Sequence, residues 1–280
     1  MPERKTLKEF RHELNLSLDR HVVVEGYSDR NFYSAWLDAH DALDGISVQV
    51  VGTIEIGNSL LEELNLPDAE RSRVIALASV SQEYSRNLLC IADRDTGNDV
   101  NRFNYDSLLW TDYPALESYI LHPKLFRIAH RMCFQGRLKD SESLLAELSS
   151  ALFKLWQVRL KNPHLPSPNY KRGVKSGGGL DGFDPFAATT SAGGVDASAL
   201  NEEPPADARV YAYGHDVAAL LFAAYSNKIK NSLKIPSVEV LEKMMCSVVV
   251  SSPELATESL FRRLYGWATR DADGASDDRN

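Results

Sequence analysis

The chain has 280 residues, 44% of them apolar, and carries a formal charge of −8 from 31 basic and 39 acidic groups. That length allows one large domain or two modest ones, and the acidic balance argues against a broad nucleic-acid-coating surface while leaving room for a local basic groove. Three dispersed cysteines, Cys90, Cys133 and Cys246, give neither zinc spacing nor a disulfide framework, and no apolar run approaches membrane-spanning length. With a polar N-terminus lacking a signal core, the expected location is cytoplasmic, away from membranes.

Leu7, Phe10, Leu14 and Leu18 recur at helical spacing and predict a helix over 4–19. Val22, Val23 and Val24 predict a buried strand at 21–25, ending in Glu25 and Gly26. A helix over 28–39 follows, with Ser28 as its cap and Phe32, Tyr33, Trp36 and Leu37 as its apolar face. Ile46 to Val51 predict a second strand, and a helix carries Leu60, Leu61 and Leu64. Residues 68–84 read as helix, with Val74–Ala78 assigned to it in preference to a strand. Residues 87–92 predict the third strand and Leu108–Trp110 a short fourth, and Pro114 opens a helix to Leu121.

This order, strand and helix in alternation, predicts an α/β fold with an open parallel sheet and helical crossovers. The expected division is a core with its N-terminal helix over 1–122, then a helical insertion over 123–162. A flexible loop over 163–208, rich in glycine and proline, comes next. A C-terminal strand (209–213) and helices (216–231, 237–249, 252–269) complete or flank the core, and 271–280 is a frayed tail.

Two apolar strands run straight into carboxylates: Val22–Val24 into Glu25, and Leu88–Ala92 into Asp93 and Asp95. Such strands place charge at the carboxyl edge of a parallel sheet, where ligands bind in open α/β folds. Carboxylates gathered there repel one another unless a divalent cation joins them, so the pattern predicts a Mg²⁺ or Mn²⁺ site. Asp93 and Asp95, two apart in extended backbone, would face the same way. Asp29 is either a ligand or a first-turn aspartate favoured by the helix dipole. Glu117 and Asp112 are candidates to complete the metal shell, Glu117 the preferred one. His215 is a candidate acid–base or phosphate-binding group, and Asp216 beside it an alternative helix cap. Arg94, Lys171, Arg172 and Lys228, with Lys230, are candidate phosphate contacts. No P-loop, no dinucleotide-binding glycine pattern after the first strand and no nucleophile-elbow serine is present, which argues against those three chemistries.

The segments V-V-V-E-G-Y-S-D-R-N-F-Y and I-A-D-R-D resemble the Toprim fold of topoisomerases, primases and overcoming-lysogenization-defect nucleases. With D-Y-P-A-L-E-S-Y-I-L they resemble, more narrowly, the DUF4435 group of Toprim-like proteins, over roughly residues 20–122 and weakly at Gly214-His215-Asp216. The resemblance implies a Toprim-like sheet and metal-dependent cleavage of phosphodiesters in tRNA or DNA, with Glu25, Asp93 and Asp95 matching the family's acidic positions. Asp112, Glu117 and Tyr119 would match its later acidic-plus-aromatic segment. It further implies an anti-phage effector like that of the PARIS system, regulated by a separate ATPase, and a homodimer is compatible with it. The chain has no clear counterpart of a late lysine that some overcoming-lysogenization-defect nucleases use. Two other classes stay open: a non-catalytic sensor or partner-binding module, and phosphoryl or nucleotidyl transfer on a small nucleotide.

Overall fold

The computed structural model describes residues 4–95, 97–162, 167–175, 179–189 and 204–270. The chain divides into two compact units, one of residues 1–112 with 253–280 and the other of residues 113–252. The first is a mixed α/β unit with parallel sheets and helical crossovers, and the second is helical.

In the α/β unit, β1 (Lys5–Thr6) leads into α1 (Leu7–Leu16), and β2 (Arg20–Val24) into α2 (Tyr27–Ala39). Next come β3 (Ile46–Val50), β4 (Ile54–Glu55), α3 (Asn58–Glu63), α4 (Glu70–Ser79), β5 (Leu88–Ala92) and β6 (Leu108–Trp110). The main sheet has the order β3-β2-β5-β6, every pair parallel. A two-residue parallel pairing joins β1 to β4. The chain goes from β2 outward to β3 and later returns to add β5 on the other side of β2. The topological switch point therefore lies between β2 and β5, and its crevice opens at their carboxyl ends.

β5 is apolar throughout and β2 is apolar over Val22–Val24, and these residues are buried because both faces are covered. Val23, Leu88, Cys90, Ala92 and Leu108 share one buried cluster with Phe10 and Leu14 of α1 and with Val74–Ala78 of α4. Val74–Ala78 are thus helical, as the alanines suggested. A C-terminal helix belongs to the same unit. Phe261 of α12 (Ser259–Ala268; α11 is Pro253–Ala256) packs its ring against Phe32, Tyr33 and Trp36 of α2. Arg20 at the start of β2 donates to the carbonyls of Trp267 (2.6 Å) and Ala268 at the end of α12, where the helix dipole favours a cation.

Several boundaries differ from expectation. The first helix ends at Leu16, and Leu18, assigned to its apolar face, is fully exposed, because Ser17 has extended backbone. The cap of α2 is Gly26, whose N–H donates to Asp29, and not Ser28. The segment after Pro114 winds as a 3₁₀ helix, Leu116–Leu121.

The helical unit continues with α5 (Pro123–Phe134), α6 (Ser141–Lys161), the short α7 (Tyr170–Gly173) and α8 (Pro185–Thr189), α9 (Gly214–Ala224) and α10 (Val238–Val249). The strand expected at 209–213 does not form. Asp207 accepts from the Arg209 N–H (3.0 Å) and ion-pairs with its guanidinium, which tightens Ala208–Val210 into a 3₁₀ turn. Tyr211 is buried against Phe153 of α6 instead of a sheet neighbour. The helix expected over 216–231 is α9 followed by one π turn, Lys228–Ser232. Of the loop expected over 163–208, residues 163–166, 176–178 and 190–203 lie outside the described residues, as does the tail at 271–280.

Candidate functional sites: an acidic strand edge and a Glu–His–Glu cluster

At the switch point, Glu25 leaves the end of β2 and reaches across to β5. Its Oε1 accepts the N–H of Asp93 at 2.8 Å. Burial raises the Glu25 carboxyl to about 7; the Asp93 N–H opposes the rise, Asp29 and Asp95 add to it, and Arg71 opposes it. Burial also raises Asp95, against the pull of Arg71 and with a push from Asp99. Asp29 is spoken for in part, since its Oδ2 accepts the N–H of Gly26 at 2.9 Å.

Arg71 of α4 is the organiser that no motif announced. Its Nε donates to the Asp93 carbonyl at 2.7 Å and lies 3.1 Å from Asp95 Oδ2, while Nη1 lies 2.8 Å from Asp99 Oδ2. The indole of Trp110, at the end of β6, covers the guanidinium at 5.1 Å. Asp95 has φ +50°, so the chain leaves extended backbone there. The alternation that was to set Asp93 and Asp95 side by side does not operate. Left-handed backbone at a non-glycine residue is a strained geometry that concentrates at functional sites. Arg94 is exposed, its N–H bound to Thr111 Oγ1 (2.8 Å) and its guanidinium near the Asp112 carbonyl (3.3 Å). The Asp112 carboxylate accepts from the N–H of Leu260 (3.1 Å), in the first turn of α12.

The raised Glu25 carboxyl has a consequence for stability. The folded chain holds this proton more tightly than the unfolded chain, whose carboxyl sits near 4.5. Below that value both states are protonated and no cost arises. As pH rises from 4.5 to about 7 the folded state loses stability, by about 3 kcal/mol once the group is ionised. Glu25→Gln keeps the carbonyl acceptor and removes the charge, so this slope should vanish. Denaturant midpoints of both chains at pH 5 and pH 8 check it, and equal slopes would contradict the assignment.

In the helical unit a second constellation forms. Glu117 on the 3₁₀ turn, His215 on α9 and Glu242 on α10 each offer a ligand atom, all within 4.8 Å of one another. Among the described residues no other group of three or more histidine, cysteine, aspartate or glutamate side chains is this close. This cluster can hold a metal ion. Glu117 is buried, Glu242 half-buried and His215 exposed. His215 Nδ1 lies 3.1 Å from Glu242 Oε2. That hydrogen bond raises the imidazole to about 9, burial opposing and Glu117, Glu242 and Asp216 adding.

Two features build the cluster. Gly214 opens α9 with no side chain where Glu117 passes: a Cβ there would lie 1.9 Å from Glu117 Oε2 and 3.0 Å from Ala115 Cβ. Gly214→Ala should therefore destabilise the unit by about 1–3 kcal/mol through overpacking. A denaturation curve matching wild type would contradict so tight an approach. The second feature is Asp216, which does not cap α9 as considered. Tyr213 is the N-cap, and Asp216, buried in the first turn, ion-pairs with both terminal nitrogens of Arg159 and accepts from the Tyr170 hydroxyl.

The remaining expected phosphate contacts are placed more simply. Lys171 and Arg172 are exposed on α7, Lys228 is exposed on the π turn, and Lys230 covers the Phe222 ring at 5.2 Å. Of the metal-ligand set expected from the sequence, Glu25, Asp29, Asp93 and Asp95 belong to the α/β unit and Glu117 to the helical unit. Sequence reasoning missed Arg71 and Glu242. A glutamate on the polar side of a helix and an arginine on a crossover carry no spacing signal. No protein-family model matches the chain, and no curated protein matches it. Among the described residues, no helix is long and apolar enough to cross a membrane.

Proposed function

We propose that the chain is a Toprim-like, metal-dependent nuclease of the DUF4435 kind, with its chemistry at the β2/β5 edge. The observation that carries this reading is the place of Glu25 and Asp93: carboxyl ends of adjacent parallel strands, at the switch point, in hydrogen-bond contact. Carboxylate oxygens suit Mg²⁺ or Mn²⁺. A bound ion of this kind orients a phosphodiester, activates water and stabilises the leaving oxygen.

The chain's own part is electrostatic and acid–base. Glu25 holds the ion or, raised toward neutrality, takes a proton from an attacking water near its working pH. Asp93 and Asp95 supply anchoring charge. Arg71 now fills the cationic role among them, and it has to release Asp95 before that carboxylate can serve. Arg94 is the exposed cation nearest in sequence to this edge and suits a phosphate of the substrate. Nucleic acid, tRNA or DNA, is the substrate class of this reading. A cytoplasmic setting, an ATPase that restrains the activity and a homodimer belong to it as well.

A specific observation favours a second reading. Arg71 satisfies Asp95 and Asp99 from within the fold, which is how a structural ion-pair network is built. On that reading the chain is a non-catalytic sensor or partner-binding module. Labelled tRNA and duplex DNA, incubated with the full chain in Mg²⁺, in Mn²⁺ and in chelator, separate the two. Cutting that requires the ion and disappears in Asp95→Asn supports the nuclease. Cutting that survives chelator, or partner binding without cutting that survives Asp95→Asn, contradicts it.

A further inference from the structure

We infer that Glu117, His215 and Glu242 form a specific site for a first-row transition cation, Zn²⁺ or Mn²⁺ in class, built wholly from residues of the helical unit. The donor set is the first reason. An imidazole with two carboxylates matches the preferences of Zn²⁺ and Mn²⁺, whereas Mg²⁺ and Ca²⁺ take oxygen ligands. Geometry is the second, since three ligand atoms within 4.8 Å of one another span a single ion's coordination sphere.

The third reason is construction. The three ligands come from three elements, the 3₁₀ turn, α9 and α10. The approach of Glu117 to α9 requires the missing side chain of Gly214. Glu117 supplies a buried carboxylate, and His215, with 85% of its side chain exposed, leaves the outer side of the ion open to water. Three protein ligands with an open position distinguish an exchangeable, water-bearing ion from a closed structural one. An ion here ties the 3₁₀ turn, α9 and α10 to one another and should stabilise the helical unit.

The test uses the full chain carrying Glu25→Gln, so that uptake at the strand edge is suppressed and the outcome does not depend on nuclease activity. After chelator treatment, Co²⁺ is titrated in as a visible-absorption probe, and Zn²⁺, Mn²⁺ and Mg²⁺ are then used as competitors. Expected are one equivalent of Co²⁺ with a ligand-field spectrum, displacement by Zn²⁺ or Mn²⁺ but not by equal Mg²⁺, and a higher thermal midpoint with the ion bound. Adding His215→Ala should weaken uptake about tenfold or more and abolish the thermal shift. Because that side chain is exposed, the variant should fold as its parent does. Glu242→Gln should act in the same direction. No Co²⁺ uptake, uptake unchanged by both substitutions, or equal displacement by Mg²⁺ overturns the site.

Discussion

Glu25→Gln is expected to lower metal-dependent phosphodiester cleavage by about 10²–10⁴-fold, the range that loss of a positioned acid–base group produces. The amide keeps the shape and still accepts the Asp93 N–H, so folding is not the cause of the loss. What it cannot do is accept a proton or carry charge to a cation. Glu25→Asp should retain a carboxylate but withdraw it from β5, leaving activity between the two. In wild type the rate should rise with pH toward the ionisation of Glu25, near 7 in the absence of an added ion, and divalent ions should move that limb lower. Initial rates across pH 5–9 for the three chains check this. Equal activity in Glu25→Gln would remove Glu25 from the chemistry.

The second large effect concerns stability. Asp216→Ala should destabilise the helical unit by about 3–5 kcal/mol, because it leaves the Arg159 charge with no carboxylate in a largely buried place. Tyr170 loses its acceptor in the same step, and the Tyr213 ring that covers Arg159 at 4.8 Å does not replace the charge. Pairing Asp216→Ala with Arg159→Met should recover part of the loss, since replacing both partners removes the uncompensated ion. Denaturant unfolding of the two variants decides the point, and a double variant no better than the single would contradict it. Because Asp216 sits beside His215, the single variant should also loosen metal uptake at the cluster.

The fold was legible wherever burial alone decides the structure. Val22–Val24 and Leu88–Ala92 read as buried strands, being short apolar runs rich in branched residues that end in charge. The helix at Val74–Ala78 was legible from its alanines. Arg209–Tyr213 misled because it alternates like a strand, while a local carboxylate, Asp207, captured its backbone. Leu18 misled because helical spacing does not mark where a helix stops.

The candidate site was half legible for the same reason. Strand-end carboxylates announce themselves by position, so Glu25 and Asp93 came forward together. Arg71 reaches Asp93 across 22 residues of sequence and Asp99 across 28. Nothing on α4 marks that arginine off from Arg73, which pairs locally with Asp68 and Glu70. Glu117 and His215 were each singled out, but on separate grounds. Their meeting with Glu242 depends on how three helical elements pack and on the empty place at Gly214.

As a nuclease site, the acidic edge must accept a cation in place of a guanidinium. A crystal structure of the full chain soaked in Mn²⁺, with anomalous data, answers this directly. The expected result is a Mn²⁺ peak bonded to the carboxylates of Glu25 and Asp95 or Asp93, with Arg71 withdrawn from Asp95. A soaked crystal with Arg71 still on Asp95 and Asp99, and no Mn²⁺ at the ends of β2 and β5, would contradict it.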